Sequence, residues 1–142
     1  MTVHLAGNPA EIARCYPVVN QLRPNLTRED FVGQVLRQIR RHGYRLAYLE
    51  QETGVVSCLG CRPTEHLAWG KILYIDDLVT LPEYRGSGFG TRLIGWAKDF
   101  AKAADCTQIH LDSGLSRVEA HRFYQAHGFE VRSLHFYVQV VR

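Results

Sequence analysis

The sequence predicts an α/β fold around one mixed sheet, and three observations carry that expectation. Two helix-period segments come first, three strand-period segments follow, and helix and strand periods then alternate along the remaining chain. A length of 142 residues with 46% hydrophobic content suits one domain with one core, so residues 1–142 are expected to form a single domain.

Each element has a local reason. Residues 2–5 read as a short first strand. Asn8-Pro9 has the form of an N-cap with a first-turn proline, opening a helix over residues 10–23. Pro17 lacks a donor and should bend or break that helix, and Pro24 closes it. Thr27, with Asp30 three residues later, caps a second helix in which Val32, Val35, Leu36 and Ile39 recur at helical spacing. Arg37, Arg40 and Arg41 form its solvated side, and Gly43 is placed to stop it. From Tyr44 the period becomes two. Residues 44–51 read as a strand, 52–54 as a turn and 55–61 as the hairpin partner. Residues 62–70, carrying His66 and Trp69, read as a loop.

Residues 71–80, Lys-Ile-Leu-Tyr-Ile-Asp-Asp-Leu-Val-Thr, are the strongest strand in the chain. A helix over 89–104 shows a stripe of Leu93, Ala97, Phe100 and Ala104. Residues 107–111 form a short strand. Ser116 and Glu119 make a capping box for a helix reaching His127, with Gly128 as its stop. Residues 129–131 and 136–141 read as two closing strands, and the second is apolar enough to pair with another copy of the chain.

Composition removes several functions. A net charge of +3 with no basic tail gives little support to nucleic-acid binding. No run is apolar and long enough to cross a membrane, and the charged start and apolar block of a secretory signal are missing, so a cytoplasmic protein is expected. Cys58 and Cys61 form a lone C-x-x-C without the second pair of a structural zinc site; with Cys15 and Cys106 they read as buried thiols. His110 and Asp112 share a strand face, too few donors for a metal site, and no metal is expected.

The chemistry concentrates after the strong strand. In Arg85-Gly-Ser-Gly-Phe-Gly90 three glycines alternate behind an arginine, and a helix begins at once. Glycine lets a ligand touch the backbone, and a helix start favours a phosphate. The Walker ending Gly-Lys-Ser/Thr is absent, and Thr91 or Arg92 stands where a dinucleotide fingerprint requires its third glycine.

This loop, together with Ala120-His-Arg-Phe-Tyr124 and Gly128-Phe129 downstream, resembles the GNAT superfamily of N-acetyltransferases, as a small single-domain member of bacterial type. The resemblance implies a mixed central sheet flanked by about four helices, with a splayed strand pair holding acetyl-coenzyme A. It implies that Arg85, Gly86, Ser87, Gly88, Phe89 and Gly90 bind the pyrophosphate. It places the pantetheine arm on Leu78, Val79 and Thr80, with the Leu78 amide polarising the thioester carbonyl. Tyr124 takes the position of the general acid that protonates the departing thiolate.

The resemblance leaves the base open among Asp76, Asp77 and Asp112. Asp76-Asp77 stands where polyamine-acetylating relatives carry an acidic pair, and Asp112 where ribosomal-protein-acetylating relatives carry a glutamate. Tyr74 replaces the glutamate of histone-acetylating relatives. Strand alternation sets Asp76 on the face of Tyr74 and Leu78, with Asp77 on the other. Asp76 is taken as the base, with Asp112 as a second catalytic candidate, and Asp77 and Tyr74 as acceptor-binding residues. Arg117 replaces an asparagine that helps hold the cofactor in many relatives, and contacts a cofactor phosphate, an anionic substrate or solvent. The expected activity is acetyl transfer to a primary amine, on a small molecule by direct attack. The alternatives are a protein N-terminus or lysine as acceptor, or a coenzyme A-binding sensor without catalysis.

Overall fold

The computed structural model describes residues 1–141. The elements are β1 (His4–Leu5), α1 (Pro9–Leu22), α2 (Arg28–His42), β2 (Arg45–Gln51), β3 (Gly54–His66), β4 (Gly70–Thr80), α3 (Phe89–Ala103), β5 (Gln108–Leu111) and α4 (Val118–Ala126), with a 3-10 turn at Pro82–Tyr84. The fold is α/β with a five-stranded mixed sheet. By contacts the chain divides into two compact units, Met1–Leu111 and Asp112–Arg142.

The first unit holds the sheet, in the order β1-β2-β3-β4-β5. Neighbours run antiparallel except β4 and β5, which are parallel. One face is covered by α1 and α2, where Ile12, Cys15, Val18 and Phe31 bury against Leu46, Tyr48, Cys58 and Val79. Alternation leaves Ala47, Leu49 and Leu59 to the other face, where α3 packs on β2, β3 and β4. The caps form as expected: Asn8 Oδ1 accepts from the Glu11 amide at 2.9 Å, Thr27 Oγ1 accepts from the Asp30 amide at 3.2 Å, and Gly43 ends α2 at φ 69°. The four cysteines are free and buried. Among the described residues no helix is long and apolar enough to cross a membrane.

Several expectations are corrected. Of the bend or break expected at Pro17, the break does not occur: α1 is continuous over Pro9–Leu22, because Ile12, Cys15, Val18 and Val19 are buried along it and packing outweighs one lost hydrogen bond. Residues 62–66 extend β3 rather than forming a loop, pairing from Arg62↔Tyr74 to His66↔Gly70. Pro63 is tolerated there because β2 begins opposite Cys61, leaving β3 an edge beyond it. The buried side of α3 is Leu93, Ile94, Ala97 and Ala101; Phe100 is displaced from it and stacks on Trp96 at 5.0 Å.

In the second unit Arg117 is the N-cap of α4, and no side chain caps the helix. The amides of Arg117 and Val118 bond Gly114 and Ser116 carbonyls at 3.0 Å, so a backbone turn precedes the helix and Ser116 is not its cap. Gly128 follows α4 at φ 90°. Residues 129–131 and 136–141 form no strand. Strand propensity describes a surface that fits a sheet, and a ladder exists only where a partner strand supplies it.

Candidate functional site

The geometry of β4 comes from unequal neighbours. β3 pairs with it as far as Thr80, whereas β5 pairs only from Ile72↔Gln108 to Ile75↔Leu111. From Asp76 onward, one edge of β4 therefore has no strand beside it among the described residues. The Leu81 amide donates to Val56 O on β3 at 2.9 Å, and backbone groups alternate in direction along a strand. Val79 therefore turns its N–H and C=O towards β3, while Leu78 and Thr80 turn theirs to the bare edge. Val79 is buried, and its carbonyl also accepts from Ser57 Oγ at 3.2 Å. Of Leu78, Val79 and Thr80, two present backbone groups to a ligand along this edge.

The glycine loop leads from this strand into α3. Gly86 and Gly88 have φ of 80° and 90°, a region that strains any residue with a Cβ. Gly88 is the N-cap of α3 and has no side chain to occupy the helix start, and no acidic residue stands in the first turn. The first intrahelical bond runs from the Arg92 amide to Gly88 O at 3.0 Å, so the Phe89 and Gly90 amides precede it. Open space surrounds the position of a Cβ on Gly86 and Gly88. Arg85 Nε donates to Thr80 O at 3.2 Å and ties the loop to the strand end. Donors, dipole and space all fit a phosphate group.

The two aspartates depart from simple alternation. Gly60 pairs with Asp77 and Cys61 with Ile75, so Asp76 is an extra residue in a β-bulge. Asp76 accepts from Arg62 Nε at 3.0 and 3.2 Å, and that guanidinium lies 5.3 Å from the Tyr74 ring centroid. Asp77 accepts from Arg23 Nε at 3.0 Å and from the Tyr44 hydroxyl at 2.7 Å. Arg62 follows Gly60 by two residues on β3, and the Tyr44 hydroxyl crosses over Gly60, so both carboxylates engage groups of one sheet face. The expected opposite placement is corrected by the bulge.

Burial pushes the Asp76 carboxyl above its ordinary value, Arg62 opposes this, and the charge of Asp77 adds to it. Tyr44 is held well above the usual phenol range by burial and by Asp77. A cavity of about 130 Å3 beside this cluster is lined by Val19, Arg23, Phe31, Tyr44 and Asp77 among others. Arg23, Tyr44, Gly60 and Arg62 were not singled out from sequence. A lone glycine inside a strand pattern does signal close approach of another group, and a Cβ on Gly60 would overlap the Tyr44 hydroxyl.

Within the second unit Tyr124 lies on α4, with Phe123 and Phe129 rings at 5.6 and 5.7 Å. Burial pushes its phenol up, against the charge of Arg117, so it stays protonated at neutral pH and can donate. Asp112 faces His135 at 3.4 Å. Among the described residues no group of three or more His, Cys, Asp and Glu is arranged to hold a metal ion.

A family model described as "Acetyltransferase (GNAT) family" matches residues 10–129. The chain is 34% identical over 127 residues to "Uncharacterized N-acetyltransferase YhdJ" of Bacillus subtilis, covering 89% of each. It is 31% identical over 123 residues to an aminoalkylphosphonate N-acetyltransferase of Salmonella typhimurium, covering 86% of this chain and 77% of that one. In fold it resembles the aminoglycoside N-acetyltransferase AAC(6')-Iy in complex with CoA, at TM-score 0.82 and 14% identity, covering 99% of this chain and 96% of that one.

Proposed function

This chain belongs to the acetyltransferase (GNAT) family and is an acyltransferase, and from that premise we propose that it moves the acetyl group of acetyl-coenzyme A to a primary amine on a small molecule by direct attack. The observation that carries the reading is the bare edge of β4 running into a glycine-capped helix start. When bound, acetyl-coenzyme A supplies an activated acyl group with a thiolate leaving group.

In this reading the amides of the Arg85–Gly90 loop hold the pyrophosphate, and Leu78 and Thr80 bond the pantetheine arm as a neighbouring strand would. The Leu78 N–H stabilises negative charge on the thioester oxygen. Asp76 takes a proton from the incoming ammonium, directly or through water. The amine nitrogen then bonds the carbonyl carbon and loses its second proton to water, the C–S bond breaks, and Tyr124, in the general-acid role that the family resemblance gives it, passes its proton to the leaving sulfur and regains one from water. Asp112 is the second candidate base, Tyr74 and Asp77 belong to the acceptor side, and Arg117 to a phosphate.

The acceptor we propose is an amine that also carries an anionic group. Asp76 and Asp77 are each paired to a guanidinium, Arg62 and Arg23, so this face is close to charge balance rather than acidic. The aminoalkylphosphonate acetyltransferase relative supports the same class. The test is thiol release from acetyl-coenzyme A with an aminoalkylphosphonate, an aminoglycoside and a polyamine. The aminoalkylphosphonate should be the best acceptor, and Tyr124→Phe should lower kcat by about 10²-fold or more without comparable loss of cofactor affinity. A faster polyamine overturns the acceptor class. Cofactor binding undetectable by calorimetry overturns the whole reading.

A further inference from the structure

Asp76 is the extra residue of a bulge, so the sheet alone does not hold it. Gly60 pairs with Asp77 and Cys61 with Ile75, and the pairing with β5 ends at Ile75↔Leu111. A bulge leaves its extra residue outside the ladder and lets the strand bend there. The direction of the Asp76 side chain therefore depends on what else grips the bulged main chain. That grip comes from the end of α1. Arg23 Nη2 donates to the Asp76 carbonyl at 2.9 Å, and Arg23 Nε donates to Asp77 Oδ1 at 3.0 Å. One guanidinium edge thus holds the main chain of one residue and the side chain of the next. The planar fork of arginine permits this, and a single ammonium does not.

The clamp is anchored at its own base. Pro24 disfavours a helical conformation at the residue before it, so α1 ends with Arg23 as its C-cap, at φ −123° and ψ 72°. The Arg23 amide donates to Val19 O at 2.8 Å, and Asn20 Nδ2 donates to the Arg23 and Leu26 carbonyls at 3.3 and 3.4 Å. The Tyr16 hydroxyl donates to the same Leu26 carbonyl at 2.6 Å. From the sheet, the Tyr44 hydroxyl donates to Asp77 Oδ2 at 2.7 Å, along a path open only because Gly60 lacks a Cβ. Arg23 and Tyr44 therefore hold different oxygens of one carboxylate, which fixes the bulge from two sides.

We propose that Arg23 is a positioning residue for acetyl transfer: it reaches from the end of α1, locks the β4 bulge and so sets the aim of the Asp76 carboxylate, with Tyr44 bracing Asp77. The inference rests on the reading of Asp76 as the base. It gives the end of α1 a part in the chemical step, since a misplacement of about 1 Å at a reacting group costs about 10²-fold in rate. The charged and titratable groups facing Asp76 are Arg62 and Cys61 on β3, Asp77 beside it, Arg23 and Tyr44. Of these, Arg62 and Arg23 favour its carboxylate form, so loss of Arg23 also moves its ionisation to higher pH.

The test is thiol release from acetyl-coenzyme A with whichever of an aminoalkylphosphonate, an aminoglycoside and a polyamine the wild type uses fastest. Arg23→Ala should lower kcat about tenfold or more, leave KM for acetyl-coenzyme A unchanged and move the acidic limb of kcat/KM to higher pH. Arg23→Lys keeps the charge and loses the fork, so kcat should fall while the limb stays near its wild-type position. The Arg23 side chain is 47% exposed and adjoins the cavity of about 130 Å3, so guanidinium ion can enter the space vacated in Arg23→Ala. Guanidinium at a sub-denaturing concentration should restore part of kcat and return the limb, and sodium chloride at equal ionic strength should do neither. Wild-type kcat in either Arg23 variant, even with a lowered melting temperature, makes the contact purely structural and overturns the inference alone. No recovery with guanidinium overturns it too. Should Arg23→Ala fail to fold, Arg23→Lys decides the matter by its kcat and its limb. A wild type that transfers no acetyl group, or Asp76→Asn with full kcat, overturns the reading of the base and this inference with it.

Discussion

Asp76 stands between opposing influences. Its burial and the neighbouring charge of Asp77 raise its pKa, and the Arg62 hydrogen bonds lower it. The raised value means that the protonated form favours the fold: this contribution is present below the unfolded-state value and is lost as pH rises through the folded one. The sign for catalysis is the reverse, because a base works when ionised. The acidic limb of kcat/KM should therefore lie above the ordinary carboxylate range. Arg62→Gln removes the main opposing influence and should move that limb to higher pH. Asp76→Asn should abolish the limb and lower kcat by about 10²-fold or more. A limb unmoved in Arg62→Gln and still present in Asp76→Asn would transfer the role to another group. At this scale residue types were legible in sequence and partners were not. Nothing in Arg23, Tyr44 and Asp77 announces a triad drawn from the end of α1, the start of β2 and β4, because the contact depends on α1 ending where β4 bulges.

At the scale of elements, helix ends were the clearest signal. The Asn8 and Thr27 caps and the Gly43 stop form as their local chemistry dictates, since a cap is completed within a few residues. The start of α3 adds function to the same rule. Gly88 sits at φ 90°, and a Cβ there costs about 1–2 kcal/mol of backbone strain. Gly88→Ala should distort the amides ahead of α3 and raise KM for acetyl-coenzyme A about tenfold, while kcat changes little. Initial rates at varied cofactor read this directly, and an unchanged KM would remove the loop from cofactor binding. What local pattern missed were β3 beyond Cys61 and the bulge at Asp76. A strand's length and its slips are agreed with its neighbour across the sheet, so neither belongs to one segment.

For the molecule as a whole, the two substrates meet before any bond changes if attack is direct. Initial-rate plots at several fixed amine concentrations should intersect; parallel lines would require a covalent acetyl-enzyme. The buried cysteines support the intersecting outcome: all four are covered, and burial pushes the Cys61 thiol up to about 12, far from a nucleophilic thiolate at neutral pH. By itself the sequence determined the order of elements as far as α4, the caps of α1 and α2, the glycine loop and the family resemblance, because each is written in spacing within a few residues or in motifs that recur together. Only the tertiary structure decided which edge of β4 is bare, that Leu78 and Thr80 rather than Val79 face it, and that both aspartates turn to guanidinium partners on one face. It also decided that residues 129–141 form no strand within one chain. These features depend on pairing between distant segments, and a ladder that another strand must complete cannot be read from either strand alone.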